Sequence, residues 1–135
     1  MSTPYITTAA PSRKMKVISW ILRILAAAAF IAAGSAKLAG VPMLVAIFDQ
    51  IGIGQWFRIV TGLIEVIGGI ALLVPATAGL GGLLLSATMA VAVLTHLFLI
   101  GGSAVPAFVL LAITATIVWL HRDEVAARLG RPTSA

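Results

Sequence analysis

Apolar residues run along this chain in four long stretches, separated by short breaks rich in glycine, proline or charge. The first extends from Val17 to Leu38, and at 1.5 Å per residue about 22 residues of helix cross the roughly 30 Å hydrocarbon core of a bilayer. The second covers residues 56–74 and stops at Pro75, whose missing N–H ends a helix. A third occupies residues 79–100 and precedes Gly101-Gly102-Ser103. The fourth, 105–120, carries Pro106 in its first turn, where proline is tolerated. Between the first two stretches, Leu44, Ile47, Phe48 and Ile51 recur at helical spacing in a segment punctuated by Pro42, Gly52 and Gly54. That segment reads as a short interfacial helix on the extracytoplasmic surface. The pattern predicts an all-α integral membrane four-helix bundle with four transmembrane helices.

Composition agrees with this reading, because 61% hydrophobic against 10% charged residues lies outside the soluble range. The basic residues also set an orientation. Of the nine Lys and Arg, seven (13, 14, 16, 23, 122, 128 and 131) fall on the side of the two termini, against Lys37 and Arg58 on the other. By the positive-inside rule both ends face the cytoplasm. Residues 1–15 then form a disordered cytoplasmic tail, 16–122 the transmembrane domain and 123–135 a second cytoplasmic tail. Arg23 interrupts the first apolar run and argues against a cleaved secretory leader. Trp20, Trp56, Arg58 and Trp119 fall at span ends, where amphipathic side chains anchor a helix at the interface. The basic residues flank apolar runs and form no stripe on a polar helix, so lipid head groups, not nucleic acid, are their expected partners.

The chemistry open to the chain is narrow. Without cysteine it has no thiol exchange and no thiolate-bound cluster, and its two histidines are too far apart in depth for a metal site. An ionisable side chain at the bilayer centre costs about 2.5–3.5 kcal/mol on insertion scales and marks a functional site or an internal pair. Glu65 stands near the middle of the second span, on the same face as Gly62, Gly68 and Gly69, which let a neighbouring helix approach closely. A carboxylate there must be protonated, hydrogen-bonded or paired. Lys37, near the end of the first span, has a stem that reaches either outward or toward Glu65, and His96 comes to a similar depth in the third. Two readings stay open for Lys37, Glu65 and His96: a satisfied network that fixes helix register, or the lining of a pocket that hydrogen-bonds a quinone carbonyl or relays its protons. Arg23 is expected to snorkel to the cytoplasmic head groups.

The order of these pieces resembles the DoxX-like family of small four-helix bacterial membrane proteins. The likeness is carried by Gly34-Ser35-Ala36-Lys37-Leu38, by Gly62-Leu63-Ile64-Glu65-Val66-Ile67-Gly68-Gly69, by Leu72-Leu73-Val74-Pro75 and by His96 late in the third span. It covers residues 16–122. The resemblance implies a four-helix bundle in the inner membrane, with Lys37, Glu65 and His96 as the residues to watch. For function it implies membrane redox or oxidative-stress work, as an accessory, quinone- or lipid-binding subunit of an oxidoreductase complex or a membrane partner of redox enzymes. A proton- or cation-coupled transporter within a homo-oligomer, and a non-catalytic scaffold or assembly factor, are the alternatives. No independent catalytic site is legible in the sequence.

Overall fold

The computed structural model describes residues 12–130. They form α1 (Arg13–Ala39), α2 (Pro42–Ile51), α3 (Gln55–Leu73), α4 (Ala78–Thr95) continued by a π-helical turn (His96–Ile100), α5 (Val105–Leu120) and α6 (Arg122–Arg128). No strand occurs among the described residues. Three helices are long and apolar enough to cross a bilayer: α1, α3, and α4 together with its π-helical turn. The helices α5 and α6 reach the same standard only as a pair, bent by 74°. The chain is therefore a helical membrane protein with three candidate crossings, or four if the bent pair counts as one.

Most of the expected tail 1–15, and residues 131–135 of the C-terminal one, lie outside the described residues. The helix itself starts earlier than hydropathy predicts, because Ser12 caps it: its Oγ accepts a hydrogen bond from the Met15 amide at 3.2 Å. Arg13, Lys14 and Met15 are thus helical. At the other end of α1, Gly40 takes φ +73°, a left-handed conformation in which its N–H reaches the Ala36 and Lys37 carbonyls. The second helix, expected to rest on the membrane surface, turns Leu44, Ile47, Phe48 and Ile51 onto the bundle. Phe48 is buried and meets Phe57 edge-on at 5.7 Å.

The long helices pack as a ring in the order α1, α3, α4, α5, which closes back onto α1. Met15, Pro75 and Leu120 share one cleft, so the start of α1, the α3–α4 turn and the end of α5 lie together at one end. The opposite end carries α2 and the π-helical turn, joined where Gln50 Nε2 donates to the Ile100 carbonyl at 3.3 Å. Glycines let the helices meet. A Cβ on Gly34 would stand 2.7 Å from the Gly62 carbonyl, and one on Gly62 would stand 3.0 Å from the Gly34 carbonyl, so α1 and α3 cross backbone to backbone. Gly69 also faces α1, whereas Gly68 receives Leu85 of α4. Gly81 abuts Ala71, and Gly82 abuts Val118 of α5.

Helix ends in apolar surroundings leave their last carbonyls short of donors, and side chains donate to three of them, two of which also receive a backbone N–H at 3.2–3.3 Å. Pro75 has no N–H to give the Ala71 carbonyl, which accepts from the Thr77 hydroxyl at 2.9 Å and from the Val74 amide at 3.3 Å. The next carbonyl, that of Leu72, accepts from Arg23 Nε of α1 at 2.6 Å. Arg58 of α3 returns the service by donating from Nη1 to the Lys37 carbonyl near the end of α1. Each helix thus supplies the arginine that caps the other, and each guanidinium lies at the negative end of a helix dipole. Arg23 is 3% exposed and lies 3.9 Å from the Trp20 ring, so it turns inward and does not snorkel.

The backbone crossing has a direct test. Gly34→Ala places a methyl against the Gly62 carbonyl, which cannot rotate away, and should destabilise the purified protein by about 1–3 kcal/mol. Thermal unfolding in detergent reads this as a lowered midpoint; an unchanged midpoint would refute the close approach of α1 and α3.

Candidate functional site

The glycine contacts between α3 and α4 end at Leu85, on the side of the bundle nearer the termini. Beyond that point a cavity of about 450 Å³ opens between the helices and is roofed by α2. Its walls are apolar, with Phe30 of α1, Phe57 and Ile64 of α3, Met89 of α4 and Leu110 of α5 among them. The rim runs over Val60 of α3 and over Leu84, Ala87 and Val91 of α4, all exposed on the outside of the bundle. A pocket of this size, apolar with a few convergent polar groups, has the build of a small-molecule site.

Lys37, Glu65 and His96 all line it. Lys37 turns inward: Nζ lies 3.1 Å from Glu65 Oε1 and 2.8 Å from Oε2, so one ammonium bridges both carboxylate oxygens. The side chains are 14% and 3% exposed, and the carboxylate is the more deeply sealed of the two. Position follows from the crossing beneath. Gly34 and Gly62 draw α1 and α3 together, and because the two helices are antiparallel Lys37 lies against Gly62 and Glu65 against Gly34, so the lysine stem spans the crossing to reach the carboxylate.

His96 shares the cavity wall but joins neither partner. Its Nδ1 lies 3.1 Å from the Gly101 carbonyl, an acceptor only, so Nδ1 carries the proton and a neutral ring keeps the Nε2 lone pair free. His96 opens the π-helical turn, an element that often accompanies functional sites. The threonines of the lining add little. Thr61, Thr88 and Thr95 each donate to a carbonyl of their own helix, at 2.7, 2.9 and 2.8 Å. The ammonium, the carboxylate and one imidazole nitrogen are left to address a ligand.

A polar chain ties the site to α2. Gln55 Nε2 donates to the Val45 carbonyl at 3.0 Å and to Asp49 at 2.7 Å, while its Oε1 accepts from Arg58 Nε at 2.7 Å. Arg58, expected as an interface anchor, spends its donors on this chain and on the Lys37 carbonyl. Trp56 and Trp119 are about 60% exposed, and Trp20 is 40% exposed beside Arg23.

A family model described as the DoxX-like family matches residues 21–121, three quarters of the chain. The chain belongs to the DoxX-like family. No curated protein and no solved structure matches it. The DoxX-like region contains Arg23, Lys37, Glu65 and His96 and stops before α6.

Lys37, Glu65 and His96, singled out in the sequence, come together at one cavity, but three features around it have no signal there. The inward turn of Arg23 was hidden because its stem is long enough to point either way. The roofing role of α2 was hidden because an amphipathic helix covers lipid or protein equally well. The π-helical turn has no hydropathy signature.

The ion pair predicts unequal single substitutions. Lys37→Met strands a buried carboxylate and should cost on the order of 3–5 kcal/mol, whereas adding Glu65→Met in the same chain should recover most of that loss. Unfolding midpoints of the wild type, both single variants and the double variant check this. Additive losses would mean that the two side chains do not interact.

Proposed function

We propose that this DoxX-like protein binds a quinone, or a lipid-soluble molecule of similar shape, in the cavity beside Lys37 and Glu65, and serves as an accessory subunit of a membrane redox system. The observation that carries this reading is an apolar cavity, rimmed by exposed residues of α3 and α4, with a charged pair set in its wall. The residues suit the ligand. An apolar ring and tail fit the walls, the Lys37 ammonium donates to a quinone carbonyl, and Glu65 and the free nitrogen of His96 accept protons from the reduced form. A bound quinone would supply the electron-carrying chemistry; the chain's own groups hold it and exchange its protons.

The reading extends to the membrane. We place the α5–α6 corner at the inner face of the bilayer, with α5 as the fourth crossing, both tails cytoplasmic and α2 outside the inner membrane. The charge bias, the common end shared by the start of α1 and the end of α5, and the polar sequence of α6 support this. A transport role has less support, since α3 runs unbroken past Glu65 and the cavity hydroxyls are already spent.

Purified in lipid discs from cells, the wild type should carry near-stoichiometric quinone by mass spectrometry. Glu65→Gln and Ala87→Trp, the latter filling the rim, should fold and lose it. Equal background quinone in all three would move the protein to a scaffold role.

The native chain lacks cysteine, so single cysteines report topology without interference. Met43→Cys, on the exposed side of α2, should react with a membrane-impermeant maleimide in intact cells, and Ala127→Cys only after permeabilisation. The reverse result would invert the orientation.

A further inference from the structure

The cavity beside Lys37 and Glu65 holds an uneven supply of hydrogen-bonding groups. Six polar side chains line it: Lys37, Thr61, Glu65, Thr88, Thr95 and His96. The three threonines have committed their only side-chain protons, each to a carbonyl one turn back on its own helix. Their oxygens keep only lone pairs free. Both carboxylate oxygens of Glu65 accept from the Lys37 ammonium, and a carboxylate so held has no proton to donate. His96 directs its ring proton from Nδ1 to the Gly101 carbonyl, which leaves Nε2 an acceptor. Among the described residues that line the cavity, Lys37 is the only side chain with a donor left, and Glu65 occupies two of its three N–H bonds. Five side chains therefore offer acceptors alone, against a single N–H on the sixth.

That imbalance separates ligands of one shape. A carbonyl oxygen can only accept, so it competes for the one N–H and brings no donor to the imidazole nitrogen or the threonine oxygens. A hydroxyl carries its own proton, and the same atom can donate to an acceptor and accept from Lys37. A polar group left unpaired in apolar surroundings loses more than a paired one gains, so the penalty falls on the carbonyl compound.

We propose that the cavity selects ligands that donate a hydrogen bond: a phenol, or the hydroxyl-bearing reduced form of a quinone, over the carbonyl compound of the same size. This rests on the reading of the cavity as a site for a lipid-soluble ring compound, and it names the form that the site holds. For a two-electron couple the preference has a redox consequence. Tighter binding of the reduced form raises the potential of the bound couple, by about 30 mV for each tenfold difference in affinity.

The test titrates the full chain in lipid discs, with empty discs as the partition control, using two pairs of probes. One pair is para-nonylphenol and its methyl ether, which differ in the O–H and carry no quinone chemistry; the other is a short-chain ubiquinol and the matching ubiquinone. The phenol and the quinol should each bind about tenfold tighter than their partners, as one net hydrogen bond provides. His96→Phe should narrow both gaps several-fold, and Thr61→Val should narrow them to a lesser degree. Neither side chain hydrogen-bonds to another helix, so both variants should fold. Equal affinities within both pairs, or tighter binding of the ether and the quinone, would overturn the proposal and leave a site for lipid-soluble rings in place. Gaps of unchanged size in both variants would overturn it too. The expected gap in the phenol pair with no binding of the quinone pair keeps the hydroxyl preference and removes the redox reading. If none of the four probes exceeds its partition into empty discs, the reading of the cavity fails and the preference with it.

Discussion

The last carbonyls of a helix lack their usual donors four residues on, and lipid offers no replacement. In this protein α1 and α3 meet that constraint for each other, with Arg23 on the last turn of α3 and Arg58 on the last turn of α1. Both arginines must come from the partner helix, so the caps exist only when the two helices stand antiparallel in one register. That register also brings Gly34 onto Gly62 and Lys37 onto Glu65. The charged pair is therefore a result of the pairing of α1 and α3 as much as its cause. A buried pair need not add net stability, because desolvation offsets much of the attraction; its clearer contribution is to reject other registers.

The remaining helices inherit an asymmetry from glycine placement. Gly68, Gly81 and Gly82 hold α3, α4 and α5 close on the side of the Pro75 turn, and no glycine does so near α2. Between α3, α4 and α5 the packing is tight beside the Pro75 turn and open beneath α2. Large side chains at Phe30, Phe57 and Met89 border the gap without filling it, and α2 roofs it through Phe48. A cavity lined mainly by hydrocarbon costs little to keep when lipid or an apolar ligand can enter from the side.

Much of this was legible in the sequence. Apolar runs ended by Pro75 and by Gly101-Gly102 gave the helices α3, α4 and α5 to within a residue or two, because proline and glycine act locally. The singular carboxylate of Glu65 drew attention to the region of the cavity by its cost alone. What stayed hidden depends on distant atoms. The direction of Arg23 is decided by the Leu72 carbonyl, 49 residues away, and no window along the chain contains both. The two faces of the glycine stripe are likewise indistinguishable in sequence, though Gly62 and Gly69 serve α1 while Gly68 serves α4.

The helices differ widely in length. The apolar stretch of α1, about 22 residues from Val17 to Leu38, is about 33 Å long, and at 16 residues α5 is about 24 Å, against roughly 30 Å of hydrocarbon. Were α5 the fourth crossing, hydrophobic mismatch would differ from one flank of the bundle to the next. Lipid would thin beside α5 and stretch or tilt beside α1, each ångström costing a fraction of a kcal/mol. Neighbouring proteins would then be sorted by flank, with short-spanned helices gathering along α5, so the molecule would impose a lateral order on its surroundings without any specific contact.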